Sequence, residues 1–244
     1  RQPVWVIQHS PCETLGIIAD ALEHARMTAR YIRSFAGEAI PHSMGGASGL
    51  IVMGGPMGAY DHPRYPDLLE EQKLIERFLK AQRPILGVCL GSQLLATVLG
   101  TRVMKAATKE IGWYPVTCTA WAPDDPLWKD IESPFMAFHW HGDVFPLPEG
   151  ALWLASSALT ACQAFRYGEC AYGLRFHLEV TQSMIQAMVR AFSDELREAK
   201  LDGSELVGKA RGHLPTLRRI GGLVFQRWAR LLGAGAPMNQ QIEA

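Results

Sequence analysis

Three short stretches carry residue types that could do chemistry together. The first is Gly87-Val88-Cys89-Leu90-Gly91, set between an apolar run and a helix-like run. A nucleophile there sits on a sharp strand-to-helix turn. Flanking glycines relieve the crowding that such a turn creates. The following helix aims its free N–H groups and positive dipole end at the sulfur, which favours the reactive thiolate. The Leu90 N–H stands where it could help bind an oxyanion. Read alone, the same five residues fit a buried structural cysteine equally well.

The second stretch is Gly173-Leu-Arg-Phe-His177-Leu-Glu179. On an extended chain, residues two apart project to one face. Glu179 could therefore orient the imidazole of His177 while His177 exchanges a proton with Cys89. Taken singly, His177 reads as a satisfied core histidine, and Glu179 as a helix-start acid complementing the dipole of residues 180–200. The third stretch is Gly54-Gly55-Pro56-Met57-Gly58, whose backbone could approach a substrate closely or form an ordinary turn. His139-Trp140-His141-Gly142-Asp143 alternates in a way that also resembles a metal-binding strand.

The elements that must position these residues are legible as patterns. Residues 4–8, 50–53 and 85–88 are short apolar runs that read as buried strands. Residues 13–25, 66–81 and 91–99 carry helical spacing, and Gly100 closes the last of these. Strand–helix–strand–helix order predicts an α/β fold with an open, mostly parallel sheet and flanking helices. Residues 111–119, 135–140, 152–156, 162–167 and 171–176 read as short strands without long helices between them. They predict an added antiparallel section, with Gly168-Glu169 as a hairpin turn. Residues 180–200 return to helix. In open α/β sheets, ligands bind beyond the carboxyl ends of the strands. His9, Gly54–Gly58 and Cys89 all fall at such ends.

From residue 202 the chain changes character. Leu214, Leu217, Ile220, Leu223, Val224, Trp228 and Leu231 recur at three- and four-residue spacing, with Arg218, Arg219, Arg227 and Arg230 largely between them. That is an amphipathic helix. It could dock on its own domain, contact a partner or a second copy in a homodimer, or lie on a membrane. The expected division is 1–200 for the main domain and 201–244 for a helical extension packed on it.

Composition bounds the function. The 244 residues are 48% hydrophobic and 20% charged, which excludes a disordered chain. Lys plus Arg and Asp plus Glu are both 24, so bulk charge gives no reason to expect nucleic acid or an anionic membrane as partner. Five cysteines without a CxxC pair read as reduced thiols in a cytoplasmic protein. Residues 1–10 lack signal-peptide character. The uncharged run 85–101 is too short and too rich in Gly, Ser and Gln to span a membrane.

Taken together, GGPMGAY (54–60), GVCLGSQLLA (87–96), HWHGD (139–143) and GLRFHLE (173–179) resemble class I glutamine amidotransferase domains, in that family's order, over about residues 4–185. The likeness is greatest to stand-alone proteins similar to the amidotransferase part of GMP synthase. The resemblance implies a flavodoxin-like three-layer fold. It implies Cys89 as nucleophile, His177 as base and acid, and Glu179 as its orienting partner. Oxyanion donors would come from the backbone of Gly55 and Leu90. Met57, Gln93, Trp140, Gly142 and Asp143 would contact the substrate. Trp140 and Arg175 depart from the family pattern, where Ser or Asn and Gln are common. No metal or organic cofactor is implied. The substrate would be glutamine or a γ-glutamyl amide. A chain without a Walker-type loop would pass ammonia to a separate synthetase or act as a plain γ-glutamyl hydrolase. Two other readings use the same residues: a dienelactone-type hydrolase built on Cys89, Asp143 and His177, and a catalytically silent interaction module.

Overall fold

The computed structural model describes residues 2–233, so residues 234–244 of the expected extension lie outside it. One nine-stranded sheet carries the fold. Its order is β2-β1-β3-β4-β9-β8-β7-β5-β6. Strands β1 (Val4–Gln8), β2 (Ala29–Arg33), β3 (Gly49–Val52), β4 (Ile85–Val88) and β9 (Ala171–Leu174) run parallel to one another. Strands β8 (Ala164–Tyr167), β7 (Leu152–Ser156), β5 (Met104–Cys118) and β6 (Phe135–Val144) continue the sheet antiparallel. The hairpin expected at Gly168-Glu169 joins β8 to β9, with Gly168 at φ 58°.

Alternation along the parallel strands builds a core on each face. Val4, Val6, Ile51, Leu86 and Val88 point to one side, and Trp5, Ile7, Leu50, Val52 and Ile85 to the other. Helices α2 (Asp67–Lys80) and α3 (Leu90–Val98) cover the second face. Helices α1 (Ile17–His24), α4 (Gln182–Ala191) and α6 (Gly203–Leu231) cover the first. Together these make three layers.

Several details differ from the sequence reading, among them β5 and β6, which run beyond the expected 111–119 and 135–140. The edge strand β2 has no apolar run to announce it, because only Ile32 of its residues is buried. Helix α1 begins at Ile17, which leaves Glu13 in the loop after β1. The helix expected over 180–200 divides at Phe192 into α4 and α5 (Ser193–Glu198). The tail helix starts at Gly203, where the Asp202 side chain caps it by accepting from the Ser204 N–H. Pro215 therefore stands inside the helix, where it withdraws one backbone hydrogen bond.

Helix α6 is docked on its own chain. Leu217, Ile220, Val224, Phe225 and Trp228 are fully buried in the first-face core. A Cβ on Gly221 would stand 2.7 Å from the Leu178 carbonyl oxygen, so the helix backbone rests on the segment between His177 and Glu179. Three of its arginines are tied down as well. Arg218 pairs with Asp20 at 3.1 Å, Arg219 with Glu132 at 2.8 Å, and Arg227 donates to the Leu127 and Lys129 carbonyls. The stripe that could have faced a partner or a bilayer is used inside the molecule. No helix among the described residues is long and apolar enough to cross a membrane.

Candidate active site

Cys89 caps the N-terminus of α3 with φ 50° and ψ −106°, a conformation L residues rarely hold. The sharp turn is possible because the chain is fixed on both sides. The Cys89 N–H donates to the Leu174 carbonyl at 2.7 Å, joining the end of β4 to β9. Gly91 lies so close to the Val52 carbonyl that any Cβ would overlap it. The Cys89 thiol is 5% exposed and donates to the Trp140 carbonyl at 3.4 Å. Leu90 is the first residue of α3, so its N–H has no partner within the helix.

His177 comes from the segment after β9, where its N–H donates to the Phe138 carbonyl of β6 at 2.8 Å. Its Nδ1 lies 2.6 Å from Glu179 Oε1, and both side chains are 1% exposed. Its Nε2 is buried without a hydrogen-bond partner among the described residues. Burial pulls the His177 pKa down, but Glu179 and the Cys89 sulfur outweigh it and hold the pKa well above its ordinary value. Cys89 and its two expected partners thus come together where adjacent strands β4 and β9 end.

A cavity of about 320 Å³ opens onto Cys89. Gly55, Met57, Gln93, Trp140, Gly142 and Asp143 all line it, so every expected substrate contact reaches one space. Gln93 is 4% exposed, and its Oε1 has no partner among the described residues. The Trp140 indole donates to Glu195 at 3.1 Å and packs against Phe192 with ring centroids 5.6 Å apart. Asp143 accepts from the Tyr60 hydroxyl at 2.9 Å, which ties β6 to the loop after β3. The β5–β6 register shifts between Lys105 and Glu110, and Lys105 and Lys109 from this stretch line the cavity.

Some residues here escaped the sequence reading. Tyr60, Lys109 and Glu195 line the cavity through tertiary packing that spacing does not encode. Glu13 is the most consequential. Its carboxyl is 3% exposed, sits against Gly54, and leaves Oε2 without a partner among the described residues. Its pKa is pushed up to about 7, chiefly by burial; Glu179 and Glu195 add to the rise, and His177 and His9 oppose it. In the unfolded chain the group ionises near 4.5. The folded state therefore binds the proton more tightly, and stability falls as pH rises through that window. Above about pH 7 the loss is complete, at about 1–3 kcal/mol. Glu13→Gln is expected to flatten this part of the curve. Urea unfolding of both proteins at pH 5 and pH 8 measures it, and parallel profiles would count against a neutral Glu13.

The His139–His141 alternation meets Glu110 of β5. His139 Nδ1, His141 Nε2 and a Glu110 oxygen lie within 4.8 Å of one another, all buried. The donor set nevertheless does not suit a cation. Glu110 already accepts from Ser157 at 2.8 Å, from Thr160, and from Gln163 at 3.1 Å. The Arg175 guanidinium, a fixed positive charge, stands 3.3 Å from His141 Nδ1. Burial pushes the His139 pKa down to about 3, and burial with Arg175 holds His141 well below its ordinary value. The cluster is a polar tie of neutral imidazoles on the cavity-lining strand β6. Arg175, the departure beside His177, belongs to this tie rather than to the cavity.

The family description "Glutamine amidotransferase class-I" matches residues 16–196. The glutamine amidotransferase-like protein YfeJ of Salmonella typhimurium is 34% identical over 200 residues, 81% of this chain and 84% of that protein. A glutamine-hydrolysing GMP synthase of Porphyromonas gingivalis is 32% identical over 146 residues, 59% of this chain and 27% of that protein. The chain thus spans about a quarter of that synthase. The crystal structure of a glutamine amidotransferase from Thermotoga maritima superposes with a TM-score of 0.84 at 34% identity, covering 95% of this chain and 98% of that one.

Proposed function

Since the chain belongs to the class I glutamine amidotransferase family, we propose that it hydrolyses the γ-carboxamide of glutamine, or a related γ-glutamyl amide, through a Cys89 thioester. The observation that carries this reading is the His177–Glu179 contact at 2.6 Å beside a thiol held at positive φ. The Cys89 thiolate attacks the carboxamide carbon. The resulting oxyanion takes hydrogen bonds from the Gly55 and Leu90 N–H groups. His177 gives its proton to the departing nitrogen as the C–N bond breaks, leaving a γ-glutamyl thioester. Water then attacks, His177 takes its proton, and the C–S bond breaks to release glutamate and the thiolate. Glu179 holds the imidazole and stabilises its charged form.

The α-amino and α-carboxylate groups of the substrate fit against Gln93 and the Trp140–Asp143 strand. A dienelactone-type arrangement is less well supported, because Asp143 is engaged by Tyr60 while Glu179 faces His177. The ammonia or amine goes to a separate synthetase or to solvent. A synthetase partner is suggested by the GMP synthase relative, about a quarter of which aligns with this chain. Five free cysteines suit a reducing, cytoplasmic setting.

The test is glutamate and ammonia release from glutamine and from a panel of γ-glutamyl amides and peptides. Release is expected from the native chain and is expected to vanish in Cys89→Ala. Turnover of γ-glutamyl peptides with silence on glutamine would define a hydrolase with a remodelled amine pocket. Release that survives Cys89→Ala would remove the thioester from the mechanism.

A further inference from the structure

His9 follows β1 and lies beneath the Gly54–Gly58 loop, 3% exposed. Its Nε2 is 2.7 Å from Glu71 Oε2 of α2, and the two side chains are each 1% exposed. Its Nδ1 is 3.2 Å from the Gly54 carbonyl oxygen. A carbonyl can only accept, and so can an ionised carboxylate. A ring that makes both contacts as hydrogen bonds carries a proton on each nitrogen. The surroundings agree. Burial favours the neutral ring, but Glu71, with Glu13 and Gly54 behind it, raises the His9 pKa above its ordinary value.

The Gly54 carbonyl shares a peptide plane with the Gly55 N–H. In a trans peptide the two point in opposite directions. Fixing the oxygen on the His9 side therefore sets the N–H on the other side. Gly55 lines the cavity with Cys89, and no described group accepts from its N–H. The loop also packs closely on this residue, since a Cβ on Gly55 would stand 2.7 Å from the His9 Cβ.

We propose that His9, clamped by Glu71, is a positioning residue that holds the Gly54–Gly55 peptide with its N–H turned toward the oxyanion. The proposal rests on the thioester reaction above, and it adds a cation outside the Cys89–His177–Glu179 set on which turnover depends. The acidic groups that face His9 are Glu71 from α2 and Glu13 from the loop after β1, the latter with its pKa pushed up to about 7. As pH rises and His9 gives up a proton, the clamp loosens and oxyanion support is lost.

His9→Ala is expected to lower kcat for the γ-glutamyl substrate by about 10²–10³, the usual effect of losing one oxyanion donor. KM should stay within a few-fold. Alkylation of Cys89 by iodoacetamide, which forms no oxyanion, should keep its native rate. His9→Asn retains an N–H near the Nδ1 position and should recover part of the loss. Glu71→Gln, a milder change, should move the alkaline limb of kcat to lower pH. Equal losses in kcat and alkylation, or no loss in kcat, would overturn the proposal. A separate measurement needs no turnover. Nitrogen-15 spectra of the native protein should show both His9 ring nitrogens protonated at pH 7, with the Gly55 amide signal shifting as His9 titrates. A neutral His9 at pH 7, or a Gly55 signal indifferent to it, refutes the clamp even if no γ-glutamyl amide is hydrolysed. Absence of turnover with a normal His9–Gly55 coupling would instead indict the reaction.

Discussion

A chain ending at residue 200 is expected to have no cooperative folded state. Removing the tail takes away Leu206, Leu217, Ile220, Val224, Phe225, Trp228 and Leu232, all buried apolar side chains. At roughly 1.5–3 kcal/mol each, their burial contributes more than about 10 kcal/mol. The net stability of a whole domain is only about 5–15 kcal/mol. Truncation also uncovers Ile17, Leu178 and the strands beneath, which adds an aggregation hazard. Urea unfolding followed by circular dichroism checks this. A sharp transition in the truncated chain would make the tail a dispensable appendage and restore the partner-binding reading of its helix.

The second large effect concerns Glu179. Glu179→Gln is expected to lower kcat by about 10³–10⁴, the scale seen when the acid of a nucleophile–base–acid set is neutralised. The cause is electrostatic. Burial favours neutral His177, and the Glu179 carboxylate is the main group opposing it. With an amide in its place, His177 loses its proton at lower pH. The imidazolium that would stabilise a Cys89 thiolate is then scarce at neutral pH. Alkylation of Cys89 at pH 6.5 should slow in parallel, while thermal unfolding monitors the fold. Asp143→Asn should instead raise KM several-fold with a smaller change in kcat. The reverse pattern would transfer the orienting role to Asp143.

The parts of the fold legible in the sequence were those with one dominant force. Residues 4–8, 85–88 and 152–156 are strands at those bounds because buried strands need uninterrupted apolar runs. Strand β2 was hidden because an edge strand exposes most of its side chains. The first half of α6 was hidden because Gly208, Gly212 and Pro215 weaken its pattern, and only tertiary packing overrides them. In the site, Cys89, His177 and Glu179 stood out through four motifs in the family's order, because each spacing alone fits a structural cysteine, a core histidine and a helix-start acid. Glu13 did not, since helical spacing placed it in α1 when that helix begins at Ile17. The His9–Glu71 contact joins residues 62 apart, and the His9–Gly54 contact joins residues 45 apart. Nothing within a sequence window announces such pairs.

The seam between β4 and β9 also sets an order of events during synthesis. Cys89 leaves the ribosome long before the strand at 171–174 that must lie beside it. Until that pairing forms, the chain carries an ordinary thiol with no adjacent imidazole and no Trp140 carbonyl to receive it. Parallel partners so distant in sequence close slowly, because the loop entropy precedes the reward. The antiparallel section fills the interval between them, and α6 locks Leu178 only afterward. Unfinished or broken copies of the chain would therefore lack the assembled Cys89–His177–Glu179 arrangement by construction of the sheet.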